Sequence, residues 1–191
     1  MNTSLTTALL AASVVALSAC SSTPSTKSSS SAAGPAPVST AKAANVNLAA
    51  ASASLVSGKL SVVPMSDGVH ITGEVGGLAP NSTHAIHIHE KGDCSAADAS
   101  SAGGHFNPSG APHGKVSSGA HHGGDMDNIV ADREGVAKVN VHASGVTLGG
   151  GATNDVAGKA VIVHASPDDY KTQPTGNAGG RIACGIITVT Q

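Results

Sequence analysis

Two histidines separated by one residue, in Ala85-Ile86-His87-Ile88-His89-Glu90, are the first place where residue type and spacing could do chemistry. Their β-branched neighbours favour an extended strand, on which positions i and i+2 share a face. The two imidazoles then project to one side about 7 Å apart at the backbone, close enough to converge on one ion. Alone, His-x-His is a weak signal, because histidines at alternate strand positions are commonly only exposed or hydrogen-bonded. The residues downstream change that reading. A Gly-rich stretch with no strand or helix pattern runs from Glu90 to Asn128, and it carries His105, His113, His122 and Asp125 at intervals of eight, nine and three residues. A structureless insertion this long signals function or disorder, and disorder would not explain the histidines. Three imidazoles and one carboxylate suit a tetrahedral Zn²⁺, which would organise a loop lacking a core of its own. His87, His89 and His164 remain for a second ion, and an all-imidazole site of tetragonal habit suits Cu²⁺.

The elements that must position these groups are short strands. Apolar and polar residues alternate over 68–75, and strand patterns recur over 47–51, 58–63, 129–131, 137–141, 160–164 and 182–189, besides the His87–His89 strand. With 24 Gly, nine Pro and no sustained helical period, about eight strands point to an antiparallel sandwich or barrel. Phe106 and Tyr170 are the only aromatics, so Val, Ile, Leu and Ala must fill the core. Ten basic and twelve acidic residues without a basic cluster argue against nucleic acid as a partner.

Ahead of this domain, residues 1–19 form an apolar leader too short to span a bilayer, ending in Leu17-Ser18-Ala19-Cys20. That ending resembles the bacterial lipobox, in which the cysteine is diacylated and becomes the first residue of the mature chain. The leader lacks the basic n-region, since Met1 to Leu10 holds no Lys or Arg. Residues 20–44 are rich in Ser, Thr, Pro and Ala and read as a flexible tether, leaving 45–191 as the domain. A lipid on Cys20 would anchor the chain without a spanning helix. Ser21 in the next position suggests the outer membrane by the lipoprotein sorting pattern.

The motifs His87-Ile88-His89-Glu90, Gly104-His105-Phe106-Asn107-Pro108, His122-Gly123-Gly124-Asp125, Val163-His164 and Thr175-Gly176-Asn177-Ala178-Gly179-Gly180-Arg181-Ile182-Ala183-Cys184-Gly185 together resemble those of bacterial copper-zinc superoxide dismutases. The likeness runs from about residue 45 to the C-terminus. It implies an eight-stranded antiparallel Greek-key β-sandwich or barrel, immunoglobulin-like, with long metal-binding and electrostatic loops. It also implies superoxide as substrate, dismutation through a cycling copper, one copper and one zinc per subunit, and a periplasmic location. By that pattern His87, His89, His105 and His164 would bind copper, and His105 would bridge to zinc with His113, His122 and Asp125. His105 and Arg181 would be the catalytic residues, Arg181 as the cation near the open copper face. Asp168 would link His87 to His113 as an outer partner, while Asp169 reads as a solvated charge. Cys94 and Cys184 would form the disulfide, and Lys171 would contribute to steering. The resemblance leaves monomer and homodimer equally open.

His70, His84, His121 and His142 fall outside this constellation and read as ordinary strand or surface histidines. Two other functions use part of the same residues. A metal buffer or delivery protein would need the histidines without Arg181 or the disulfide, and a catalytically silent adhesion module would lack a copper ligand.

Overall fold

The computed structural model describes residues 37–191, so the leader, Cys20 and most of the expected tether lie outside the described residues. Ten strands follow in order: β1 (Ala44–Ala50), β2 (Ser57–Met65), β3 (Gly68–Gly76), β4 (Thr83–His84), β5 (Ile86–His89), β6 (Ile129–Val130), β7 (Ala137–Ser144), β8 (Ala160–His164), β9 (Arg181–Ile186) and β10 (Thr188–Val189). Two single 3-10 turns, Ser100–Ala102 and Val116–Ser118, are the only helical pieces among the described residues.

A curled antiparallel sheet runs in the order β5-β8-β9-β1-β2-β3-β7, with β10 beside β1, and a two-stranded piece pairs β4 with β6. After β3 the chain departs through β4, β5 and β6 and returns as β7 to pair with β3, the long return of a Greek key. All eight expected strands are present. The expected 182–189 strand is two strands, because buried Ile187 interrupts the ladder between β9 and β10.

Alternation explains the core. Val46 and Leu48 on β1, Leu60 and Val62 on β2, Val69 and Ile71 on β3, and Val139 and Val141 on β7 all turn inward, and their neighbours face out. Removing each such side chain from water contributes about 1.5–3 kcal/mol. β8 differs, since all five of its residues are buried. Val161 and Val163 enter the main core, whereas Ala160 and Ile162 pack on the other side against Ala99, Ala102 and Cys184. A strand covered on both faces reads as an unbroken apolar run. Its second cover is the 90–104 loop, fastened to β9 by the Cys94–Cys184 disulfide.

Among the described residues, hydrogen bonds to the domain are made ahead of Asn45 as well. Ser39 Oγ accepts the Leu148 amide at 2.9 Å, Thr40 and Ala41 donate to the Leu148 carbonyl, and Lys42 donates to Gln191. The reason is local: residues 39–43 complete backbone pairing at one end of the sheet that a Ser- and Ala-rich composition does not announce.

Candidate metal centre

β5 divides two jobs by alternation. Ile86 and Ile88 enter the core, and His87 and His89 project from the opposite face, where they too are buried. β8 pairs with β5 in the register Ile86↔Val163 and Ile88↔Val161, which carries His164 to the end of the same face. The ladder between β8 and β9 shifts at Val163/His164, an irregularity of the kind that re-aims a side chain. His105 arrives from the long loop. Phe106 donates to the Ile88 carbonyl at 2.8 Å, Glu90 donates to Gly104 at 2.9 Å, and His89 and His105 form an isolated bridge. Gly124 continues this pairing by donating to the Phe106 carbonyl and accepting from Ile88, and a Cβ there would collide with the Ile88 oxygen. The loop is therefore stitched to the strand that carries the His-x-His pair.

Each ring has one nitrogen fixed from outside. His87 Nε2 lies 2.8 Å from Asp168 Oδ2, His89 Nδ1 lies 2.9 Å from the Gly103 carbonyl, and His105 Nδ1 lies 2.9 Å from Asp125 Oδ1. The other nitrogens turn toward one another. His89 Nε2 and His164 Nε2 are 3.3 Å apart, and the His87 and His105 ring centroids are 4.1 Å apart. One ligand atom from each of His87, His89, His105 and His164 lies within 4.8 Å of all the others. His105, His113, His122 and Asp125 form a second group to the same limit. There Asp125 Oδ1 stands 2.9 Å from His105 Nδ1, 3.0 Å from His113 Nδ1 and 3.2 Å from His122 Nδ1. His105 belongs to both groups. Its Nδ1 serves the carboxylate side, which leaves Nε2 for the all-imidazole side.

Three buried nitrogens here have no hydrogen-bond partner: His87 Nδ1, His105 Nε2 and His113 Nδ1. His113 Nδ1 comes close to Asp125 but lacks hydrogen-bond geometry. Orphaned buried polar atoms are rare because each forfeits its hydration, so three at one place mark missing partners. The donor sets state which partners fit: four imidazoles for copper, and three imidazoles with one carboxylate for zinc.

Electrostatics separates the groups. Burial drives His89 down to about 2, with the Gly103 carbonyl only partly opposing it. Burial and then the neighbouring His87 bring His164 to about 3, and burial outweighs Asp125 to bring His105 to about 4. These imidazoles are neutral at ordinary pH, the form that coordinates metal. Burial pushes His113 the same way, but Asp125 and Asp168 overcome it and raise His113 to about 9. Asp125 and Asp168 are themselves buried, which would raise them, yet their imidazole partners hold both far below the usual carboxylate range.

Asp168 is the join between the groups, accepting from His87 through Oδ2 and lying 2.9 Å from His113 Nε2 through Oδ1. Its own position is set by residues that sequence reasoning passed over. Asp168 N donates to Asn128 Oδ1, Asn128 Nδ2 donates back to the Asp168 carbonyl, and Tyr170 N donates to Asp168 Oδ1. Gly176, at φ +65°, passes so close that a Cβ would strike Asp168 Oδ1 and His113 Nε2. Gln173 brackets His113 by accepting its amide and donating to its carbonyl. His84, expected to be ordinary, is buried and bonds the His164 carbonyl at 2.8 Å while Ser82 holds its other nitrogen. The Gly176 signal was present in the Thr175-Gly176 motif; Asn128, Gln173 and His84 carried none.

Arg181 begins β9 half-buried, with Nη1 donating to the Ala99 carbonyl at 2.7 Å and Nη2 to the Gly103 carbonyl at 2.6 Å. Gly103 thus receives both Arg181 and His89, which ties the guanidinium to the ligand group. Asp169 turns to solvent and caps Lys171 and Thr172, and Lys171 is exposed.

Comparison with known proteins identifies the family. The family model described as copper/zinc superoxide dismutase matches residues 56–187. Superoxide dismutase [Cu-Zn] 2 of Aquifex aeolicus is 45% identical over 135 residues, covering 69% of this chain and 79% of that protein. The superoxide dismutase [Cu-Zn] of Caulobacter vibrioides is 42% identical over 135 residues, covering 68% and 77% respectively. Among solved structures, a SOD-like protein from Bacillus subtilis superposes with a TM-score of 0.68 at 34% identity, covering 75% of this chain and 97% of that one. With a family model spanning both ligand groups and curated relatives above 40% identity, the chain belongs to the copper/zinc superoxide dismutase family.

Proposed function

We propose that this chain converts superoxide to dioxygen and hydrogen peroxide, holding copper with His87, His89, His105 and His164 and zinc with His105, His113, His122 and Asp125. The observation that carries the reading is the shared ring of His105, one nitrogen in each ligand group, beside a fixed guanidinium. When bound, copper supplies the one-electron relay and zinc a fixed positive charge. The remaining work falls to the chain. Arg181 offers a permanent cation to a small anion, and its two carbonyl partners hold it beside the His89 side of the centre. His105 Nε2, buried and without a hydrogen-bond partner, is the atom placed to take and return a proton. Asp168 and Gly103 hold His87 and His89 in one orientation, and such outer contacts fix tautomer and ring direction.

The disulfide fits an oxidising compartment. The leader and the Leu17-Ser18-Ala19-Cys20 ending support export to the periplasm with a lipid on Cys20, on a tether that places the domain at a membrane surface.

The test is superoxide dismutation by the copper- and zinc-loaded protein beside Arg181→Ala with equal measured metal content. Fast turnover that weakens with added salt, and falls about tenfold in the variant at low salt, supports the enzyme and the role of Arg181. A fully loaded protein without turnover would leave metal buffering as the function.

A further inference from the structure

Among the described residues, four buried side-chain nitrogens lack a hydrogen-bond partner. Three belong to the interior ligand groups, and the fourth is His142 Nε2, on β7. The signature that marks the metal centre therefore appears once more, on another face of the molecule.

Its surroundings contain further donors. β7 pairs with β3 so that His142 stands directly opposite His70. Both are half-buried and alternate with core residues, His70 between Val69 and Ile71 and His142 between Val141 and Ala143, so both side chains face outward. Residues opposed on an antiparallel pair have Cβ atoms about 4.5–5.5 Å apart, a separation at which two imidazoles converge on one ion. Asp67, in the turn between β2 and β3, places Oδ1 3.4 Å from His142 Nε2, close enough for an ion pair. The pair lacks hydrogen-bond geometry, which is why the nitrogen stays orphaned. The Asp67 main chain is held, since its carbonyl accepts the Gly145 amide at 2.7 Å, while its carboxylate stays exposed.

We propose that His70, His142 and Asp67 form a third, exterior metal site for a first-row divalent transition ion. Two imidazoles select such ions over calcium and magnesium, which take oxygen ligands, and the general order of affinities makes Cu²⁺ the tightest and Ni²⁺ the next. The trio is not gathered within 4.8 Å as the two interior groups are. Binding would require the His70 ring to turn toward His142 Nε2, a rotamer change open to a half-buried side chain that faces outward. The site is consequently weaker and faster to exchange than the interior pair, as suits capture and release at the surface.

The test uses the full chain with copper and zinc already filling the interior groups, titrated with Ni²⁺ by calorimetry while the imidazole NMR signals are followed. One further equivalent binds, the His70 and His142 resonances broaden first, and His70→Ala and His142→Ala each lose affinity by about tenfold or more, a change of about 1.4 kcal/mol per decade. Asp67→Asn loses less. All three variants keep their dismutation rate, which shows that they fold. Absence of a further equivalent would overturn the proposal, as would a further equivalent that both histidine variants bind unchanged.

Discussion

The two ligand groups share a residue yet are built in opposite ways. In the all-imidazole group, three of the four histidines come from strands β5 and β8, and burial, helped by the neighbouring imidazoles, keeps His89, His164 and His105 neutral. In the other group, His113, His122 and Asp125 come from a segment without regular structure, and a buried carboxylate organises the imidazoles by charge. One site is held by the sheet and the other by electrostatics. The first suits an ion whose charge changes during reaction, because its donors carry no charge of their own; the second suits an ion that stays fixed.

That contrast breaks most sharply at Asp125. Asp125→Ala removes the only carboxylate of its group and leaves His113 facing Asp168 alone. Stability of the metal-free protein should drop by about 3–5 kcal/mol, the usual result of removing one partner from a buried charged pair. Thermal unfolding reads the loss, and metal analysis should find zinc gone but copper retained. Equal loss of copper would mean that the groups are not separable. Asp168→Asn should act on both groups, since Asp168 touches His87 and His113, and lower each metal affinity about 10–100-fold in competition with a chelator. An effect confined to one metal would place Asp168 within that group only.

The smallest effect, and the one that sharpens the comparison most, is the pH profile of the metal-free protein. His89, His105 and His164 sit below their ordinary 6.5. Their contribution is complete above about 6.5 and is lost as pH falls through about 4 for His105, about 3 for His164 and about 2 for His89, because the unfolded chain takes up protons that the folded chain refuses. His113, raised to about 9, works in the reverse sense, with its contribution complete below 6.5 and lost as pH rises through 9. Denaturant midpoints across pH should therefore fall on both sides, and His113→Asn should remove the alkaline limb while leaving the acid limb. Loss of both limbs together would contradict the division.

The same division explains what could be read from sequence. His87 and His89 announce themselves by strand alternation, and His105, His113, His122 and Asp125 by their crowding into a segment with no competing pattern. The strands were legible because one face is apolar, or both in β8, and the exceptions are short: β4 holds two residues, and Ile187 splits the last strand. What stayed hidden was whatever acts through the backbone or from a distance. The carbonyls of Ala99 and Gly103 that clamp Arg181 have no residue signature, and neither does the Asn128 bracket on Asp168. His84 looked like any strand histidine until the fold set it beneath His164. His142 looked the same, and only the β3–β7 register brings it opposite His70.

The central claim is that one ring, His105, serves both ions, and the copper EPR spectrum tests it most directly. Protein loaded with Cu²⁺ alone is compared with the same sample after one equivalent of Zn²⁺, in wild type and in His105→Ala. A spectrum that shifts on zinc addition in the wild type, and stays unchanged in the variant while both still bind copper, is the predicted result. A wild-type copper spectrum indifferent to bound zinc would contradict the shared ring.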